Sequence, residues 1–63
     1  MFAGNRQVQT SRGLLDVDVW VTGTGSHAAR LHGQYPGLEA VGGAFGATSD
    51  EAVDRLREAV ERA

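Results

Sequence analysis

Only one stretch of this chain has helical periodicity, Thr48 to Ala63, so every other apolar residue must be organised around a single helix. Within it Ala52, Val53, Leu56, Ala59, Val60 and Ala63 recur at helical spacing and make one apolar stripe. Thr48 stands three residues before Glu51, the spacing of a capping box in which hydroxyl and carboxylate satisfy orphan amide donors at a helix start. Asp50 and Glu51 also suit the positive end of the helix dipole. Glu51 with Arg55, and Glu58 with Arg62, place an acid four residues before a base on the solvent side.

The clearest strand is Leu15 to Thr22, where Leu15, Val17, Val19 and Val21 alternate with Asp16, Asp18, Trp20 and Thr22. Gly23-Thr24-Gly25-Ser26 breaks the alternation with residues suited to a hairpin turn. A second strand is expected over His27 to Gly33, and a third over Leu38 to Phe45, although Gly42 and Gly43 weaken that one. Residues 1–13 hold little pattern beyond Val8 and are either a fourth, N-terminal strand or a loose arm. The expected fold is α+β: a three-stranded antiparallel sheet, with that fourth strand as an option, and one C-terminal helix packed on one face.

Parity restricts the hairpin register. For the valines to share a face with Ala29 and Leu31, paired residue numbers must sum to an even number. A three-residue turn at Thr24 to Ser26 satisfies this and pairs Val19 with Leu31, Val21 with Ala29, Trp20 with Arg30 and Asp18 with His32. One helix covers one face, so the other presents Trp20, Arg30 and His32. Trp and Arg are enriched at interface hot spots, and these three residues are the candidate partner or oligomer contact. The alternative is internal, with Arg30 covering Trp20 as a cation–π pair.

Size makes self-association the expected supplement to a small core. A chain of 63 residues is at most one domain, and at this size folding buries only about 60% of the unfolded chain's surface. Disulfides and metals are the other usual supplements. There is no cysteine, and His27 and His32 are wrongly spaced to share a helical face or one side of a strand. No cofactor or metal is expected. The net charge of −2, with six arginines and no lysine, argues against a chain that binds nucleic acid by itself, since that affinity comes from neutralising phosphates. No apolar run approaches the roughly 20 residues of a membrane helix. The start of the chain lacks the basic segment and long apolar stretch of a secretory signal, and a cytoplasmic location is expected.

No serine or threonine is placed as a nucleophile beside Asp18 and His32, and no enzymatic activity is expected. One ligand-binding pattern competes. Gly23-Thr24-Gly25-Ser26-His27-Ala28 after a strand matches G-x-G-x-x-A, in which Gly23 and Gly25 admit a pyrophosphate to the amides of a helix beginning near Ala28. A working site of that kind needs a complete βαβ unit, for which a chain this short leaves little room.

The second half of the chain carries a family resemblance. Tyr35-Pro36-Gly37-Leu38, then Gly46-Ala47-Thr48, then Glu51-Ala52 opening an amphipathic helix resemble the F/Y-P-D-L, G-D-T and E-E-A elements of the HicB-like antitoxin domain of small bacterial proteins. The likeness spans Val17 to Ala63 and assigns 14–63 to the domain and 1–13 to the arm or extra strand. It departs from the family at Glu39-Ala40-Val41 and the following glycines, where P-G-C-V is common, and its spacing is one residue longer. The resemblance implies a partial ribonuclease H-like fold in which Tyr35, Pro36, Leu38, Gly46, Thr48, Glu51 and Ala52 are structural. It also implies an interaction module of a toxin–antitoxin system that blocks a small mRNA-cleaving toxin. The separate C-terminal DNA-binding segment common in the family has no counterpart in this sequence. Short relatives also act as stand-alone homo-oligomers.

Overall fold

A computed structural model describes all residues, 1–63. Four strands, β1 (Phe2–Thr10), β2 (Gly13–Val21), β3 (His27–Leu31) and β4 (Gly43–Gly46), precede one helix, α1 (Ser49–Arg62). They form an antiparallel meander in the order β1-β2-β3-β4, with the helix across one face. The architecture is therefore α+β, and residues 1–13 contribute the fourth strand instead of a loose arm. A ribonuclease H-like relationship is not needed to describe it.

The inward residues of the strands and the helical stripe make two adjoining cores. Val8, Val17, Val19 and Ala29 pack with Ala52, Val53 and Leu56, while Leu15 and Leu38 meet Val60 under the last helical turns. Burying a side chain such as Leu56 or Val60 contributes about 1.5–3 kcal/mol, so these few residues carry much of a small domain's stability. Ala59 is only half-buried and Ala63 exposed, so the stripe narrows toward the C-terminus.

Four sequence expectations change. The β2–β3 turn has the expected three residues but sits one residue earlier, at Gly23–Gly25, closed by Thr22 N donating to Ser26 O at 2.8 Å. The reason lies in the last turn position, which needs a positive φ. Gly25 has φ +86°, a conformation Ser26 would adopt only with strain. Parity survives, so the valines, Ala29 and Leu31 still face inward, but every pair shifts: Val17 lies opposite Leu31, Asp18 opposite Arg30, Val19 opposite Ala29 and Trp20 opposite Ala28.

The other three changes concern the second half. The third strand of the sequence reading does not run from Leu38; only Gly43–Gly46 is extended. Leu38 N donates to Tyr35 O and Val41 N to Leu38 O, both at 3.0 Å, two successive turns that lower Leu38 into the second core. The preceding strand ends at Leu31 and not at Gly33, although His32 N still reaches Asp16 O at 2.9 Å. Among the helical charges, Arg55 lies 3.6 Å from Glu51 as expected, whereas Glu58 and Arg62 form no pair and Arg57 instead bonds Asp54 at 2.8 Å.

The helix start follows the capping pattern with one adjustment. Thr48 Oγ1 accepts from Glu51 N at 3.1 Å, while the Glu51 carboxylate accepts from Ala47 N at 2.9 Å, one residue ahead of the usual partner. Gly46 makes this possible. A Cβ there would sit 2.6 Å from Ala52 N and 2.8 Å from Glu51 Cβ, so β4 and the first helical turn touch backbone to side chain. At the opposite end Ser11 donates through both N (3.0 Å) and Oγ (2.8 Å) to Glu61, tying the β1–β2 turn to the last helical turn. Those two bonds hold the Glu61 carboxyl below its ordinary range.

Candidate interaction site

Because only one helix exists, the sheet face opposite it is open, and the register sorts its side chains into cross-strand rows. The row at one end of the strands is apolar. Phe2 lies opposite Trp20, Trp20 opposite Ala28, and Ala28 opposite Phe45. The Phe2 and Trp20 rings meet edge to face, with centroids 5.0 Å apart and planes at 72°, the arrangement favoured by aromatic quadrupoles. Phe2 is 50%, Trp20 40% and Phe45 61% exposed, so the row is an aromatic surface and not a core layer. Next to the row the exposed Met1 pairs with Val21 and ties down the start of the chain; its amino group donates to Val21 O and its carbonyl accepts from Val21 N, both at 2.7 Å.

The adjacent rows are polar. Asn5, Asp18, Arg30 and Gly43 cross the sheet in register. Asn5 Nδ2 donates to Asp18 Oδ1 at 3.0 Å, and His32 Nδ1 lies 2.7 Å from Asp18 Oδ2. The Asn5 hydrogen bond and then His32 hold the Asp18 carboxyl below its ordinary value, and the Asp18 contact raises His32. Next along, Gln7 donates to Asp16, whose backbone N donates to the Tyr35 hydroxyl at 2.9 Å. Arg30 enters no ion pair; its stem runs over Gly43, where an added Cβ would stand 3.1 Å from Arg30 Cγ.

Trp20, Arg30 and His32 thus share the open face, as sequence parity required, but not in the expected pairs. Trp20 stacks with Phe2 and not with Arg30, so the cation–π alternative falls. His32 is not opposite Asp18 in the ladder yet reaches it diagonally. Phe2 and Phe45 are the site residues that sequence reasoning missed. Phe45 falls into the row once β4 is placed at Gly43–Gly46, whereas Phe2 has no local signal, because Ala3 and Gly4 obscure the alternation and a register shift lies there.

The residues of the family-like motif are structural in their contacts. Tyr35 ties the loop to β2 through Asp16, Pro36 precedes the turn at Gly37, and Leu38 fills the second core. Gly46 permits the close approach, Thr48 and Glu51 cap the helix, and Ala52 is fully buried. The glycine loop is different from what a dinucleotide site requires. Gly23 to Gly25 lead into β3 and not into a helix, so no helix N-terminus stands behind them. The Thr22 hydroxyl instead contacts those of Thr24 (3.0 Å) and Ser26 (2.8 Å). No three His, Asp or Glu side chains converge as a metal cluster. No helix is long and apolar enough to cross a membrane.

These features define a small α+β domain with a capped helix on one side of its sheet and an aromatic row on the other. No family model, no curated protein and no solved structure matches the chain.

Proposed function

We propose that this chain is a non-enzymatic interaction module of the HicB-like antitoxin type, which binds and blocks a small mRNA-cleaving toxin in the bacterial cytoplasm and also self-associates. The observation that carries the reading is the exposed row Phe2–Trp20–Ala28–Phe45, bordered by the unpaired Arg30. Aromatic and Arg side chains flanked by polar groups are the composition of an interface centre and its rim. Such a row, with the polar Asp18 and Asp16 rows beside it and the exposed Leu14 at the far end of the face, exposes apolar surface that a partner would cover. The strand–strand–strand–helix succession from Gly13 to Arg62, with Leu38, Gly46 and Thr48 in structural positions, is compatible with the resemblance. A net charge of −2 suits a basic RNA-cleaving partner better than RNA itself.

The test is co-purification with the product of a small neighbouring reading frame, followed by solution mass from light scattering. A complex that forms with the wild type and is weakened at least ten-fold by Trp20→Ala or Arg30→Glu supports the reading. Unchanged partner affinity in both variants overturns it.

A further inference from the structure

The two edges of the sheet are not equivalent. At the β4 edge the strand has four residues, and of its outward carbonyls that of Phe45 is occupied by Arg55 Nη1 at 2.8 Å. That edge is short and capped. The β1 edge has nine residues, no proline and no lysine. Its single charge, Arg6, is turned toward the helix and paired with Asp50 at 2.7 Å. Natural sheets usually blunt a long edge with charge, proline, brevity or a bulge; here the bulge is confined to Phe2–Gly4, and from Asn5 to Thr10 the sole such device is Arg6, whose charge Asp50 takes up.

The ladder shows which groups are free. Met1 and Val21 exchange both backbone bonds, and Thr22 and His32 bond across to Ser26 and Asp16. Even-numbered residues of β2 from Asp16 therefore bond toward β3 and odd-numbered ones toward β1, which gives Gly4, Arg6 and Val8 the bonds to β2. The amides and carbonyls of Asn5, Gln7 and Gln9 point away from the sheet. Their side chains lie on the open face, with Asn5 and Gln7 held by Asp18 and Asp16. The helix packs mainly over β3 and β4. A groove of about 270 Å³ remains beside this edge, lined by Val8, Val53, Arg6 and Arg57.

We infer that the β1 edge pairs with the β1 edge of a second copy, antiparallel about a two-fold axis at Gln7, joining two four-stranded sheets into one of eight. This deepens the self-association part of the proposed function and uses a surface distinct from the aromatic row. A second copy is the occupant because the register is self-complementary. Asn5 meets Gln9, Gln7 meets Gln7 and Gln9 meets Asn5, so each outward residue of one chain finds one in the other, with two backbone bonds per pair. No like charges oppose one another in that register, since Arg6 faces Val8. The aromatic rows stay open on the shared outer face, available to a different protein.

Three measurements on the full chain test this. In a concentration series, amide exchange at Asn5, Gln7 and Gln9 slows as the mass doubles, while exchange at Phe45 does not change. Asn5→Lys with Gln9→Lys opposes like charges twice across the axis and weakens the dimer by roughly ten-fold. Asn5→Lys with Gln9→Glu opposes unlike charges and restores it, which separates edge pairing from simple misfolding. Trp20→Ala leaves the dimer intact. A monomer at millimolar concentration overturns the inference, as does a dimer whose Asn5, Gln7 and Gln9 amides exchange at the monomer rate. A dimer lost with Trp20→Ala but kept with both lysines overturns it too, moving self-association to the sheet face. Loss of toxin binding with an intact edge dimer counts against the proposed function alone.

Discussion

Phe2 and Trp20 pack edge to face at 5.0 Å across the β1–β2 ladder while each keeps 40% or more of its surface in solvent. Local aromatic packing fixes the Trp20 ring without burying it. A preorganised ring loses less conformational freedom on binding than a free one, and this makes the pair a suitable anchor for a partner.

Trp20→Ala should therefore separate binding from folding. Removal of the edge-to-face contact is expected to lower stability by about 1 kcal/mol, readable by urea denaturation, while partner affinity falls at least ten-fold. A loss of partner affinity no larger than the loss of folding stability would place Trp20 among the folding residues instead.

Gly46→Ala should be far more damaging to folding than its size suggests. The added methyl would stand 2.6 Å from Ala52 N, and relieving that clash requires β4 and α1 to move apart, at a cost of roughly 1–3 kcal/mol. Thermal melting checks this; a variant as stable as the wild type would show that the β4–α1 approach is soft.

Thr48→Ala removes the acceptor for Glu51 N and should cost about 1 kcal/mol, with Thr48→Ser retaining most of it. Circular dichroism during urea denaturation measures both variants. If Thr48→Ser loses as much as Thr48→Ala, the hydroxyl is not the source of the stabilisation.

The Asp18–His32 contact predicts a pH window. Asp18 is lowered from 3.8, first by Asn5 and then by His32, so its contribution is present above that value and lost as pH falls through the folded one. His32 is raised from 6.5 by Asp18, so its contribution is complete below 6.5 and lost as pH rises through the folded value. The pair should be strongest between about pH 4 and 6.5. In an NMR titration Asp18→Asn is expected to return His32 toward its ordinary value; an unmoved midpoint would mean that the 2.7 Å contact does not persist in solution.

Much of this arrangement was legible in the sequence, for identifiable reasons. The alternation from Leu15 to Val21 marked both faces of β2, and parity alone placed Trp20, Arg30 and His32 together on the open one. The Thr48–Glu51 spacing located the helix start. Register was missed because two adjacent three-residue turns satisfy parity equally, and only the demand for glycine at the left-handed position chooses Gly25 over Ser26. The segment from Leu38 to Val41 reads as a strand by hydropathy, but its apolar side chains are spent on plugging the second core from a turn. Strand β1 was hidden because an edge strand needs few buried residues: Val8 and Thr10 are the only ones in it.

Trp20 is the single tryptophan of the chain, so its fluorescence reports directly on the face assigned to partner binding. The most direct measurement is its emission during titration with a candidate toxin in a tryptophan-free form. A shift to shorter wavelength that saturates at a fixed stoichiometry, together with loss of accessibility to iodide, is the predicted result. A complex that forms while Trp20 emission and quenching stay unchanged would contradict the account, because the partner would then be held elsewhere.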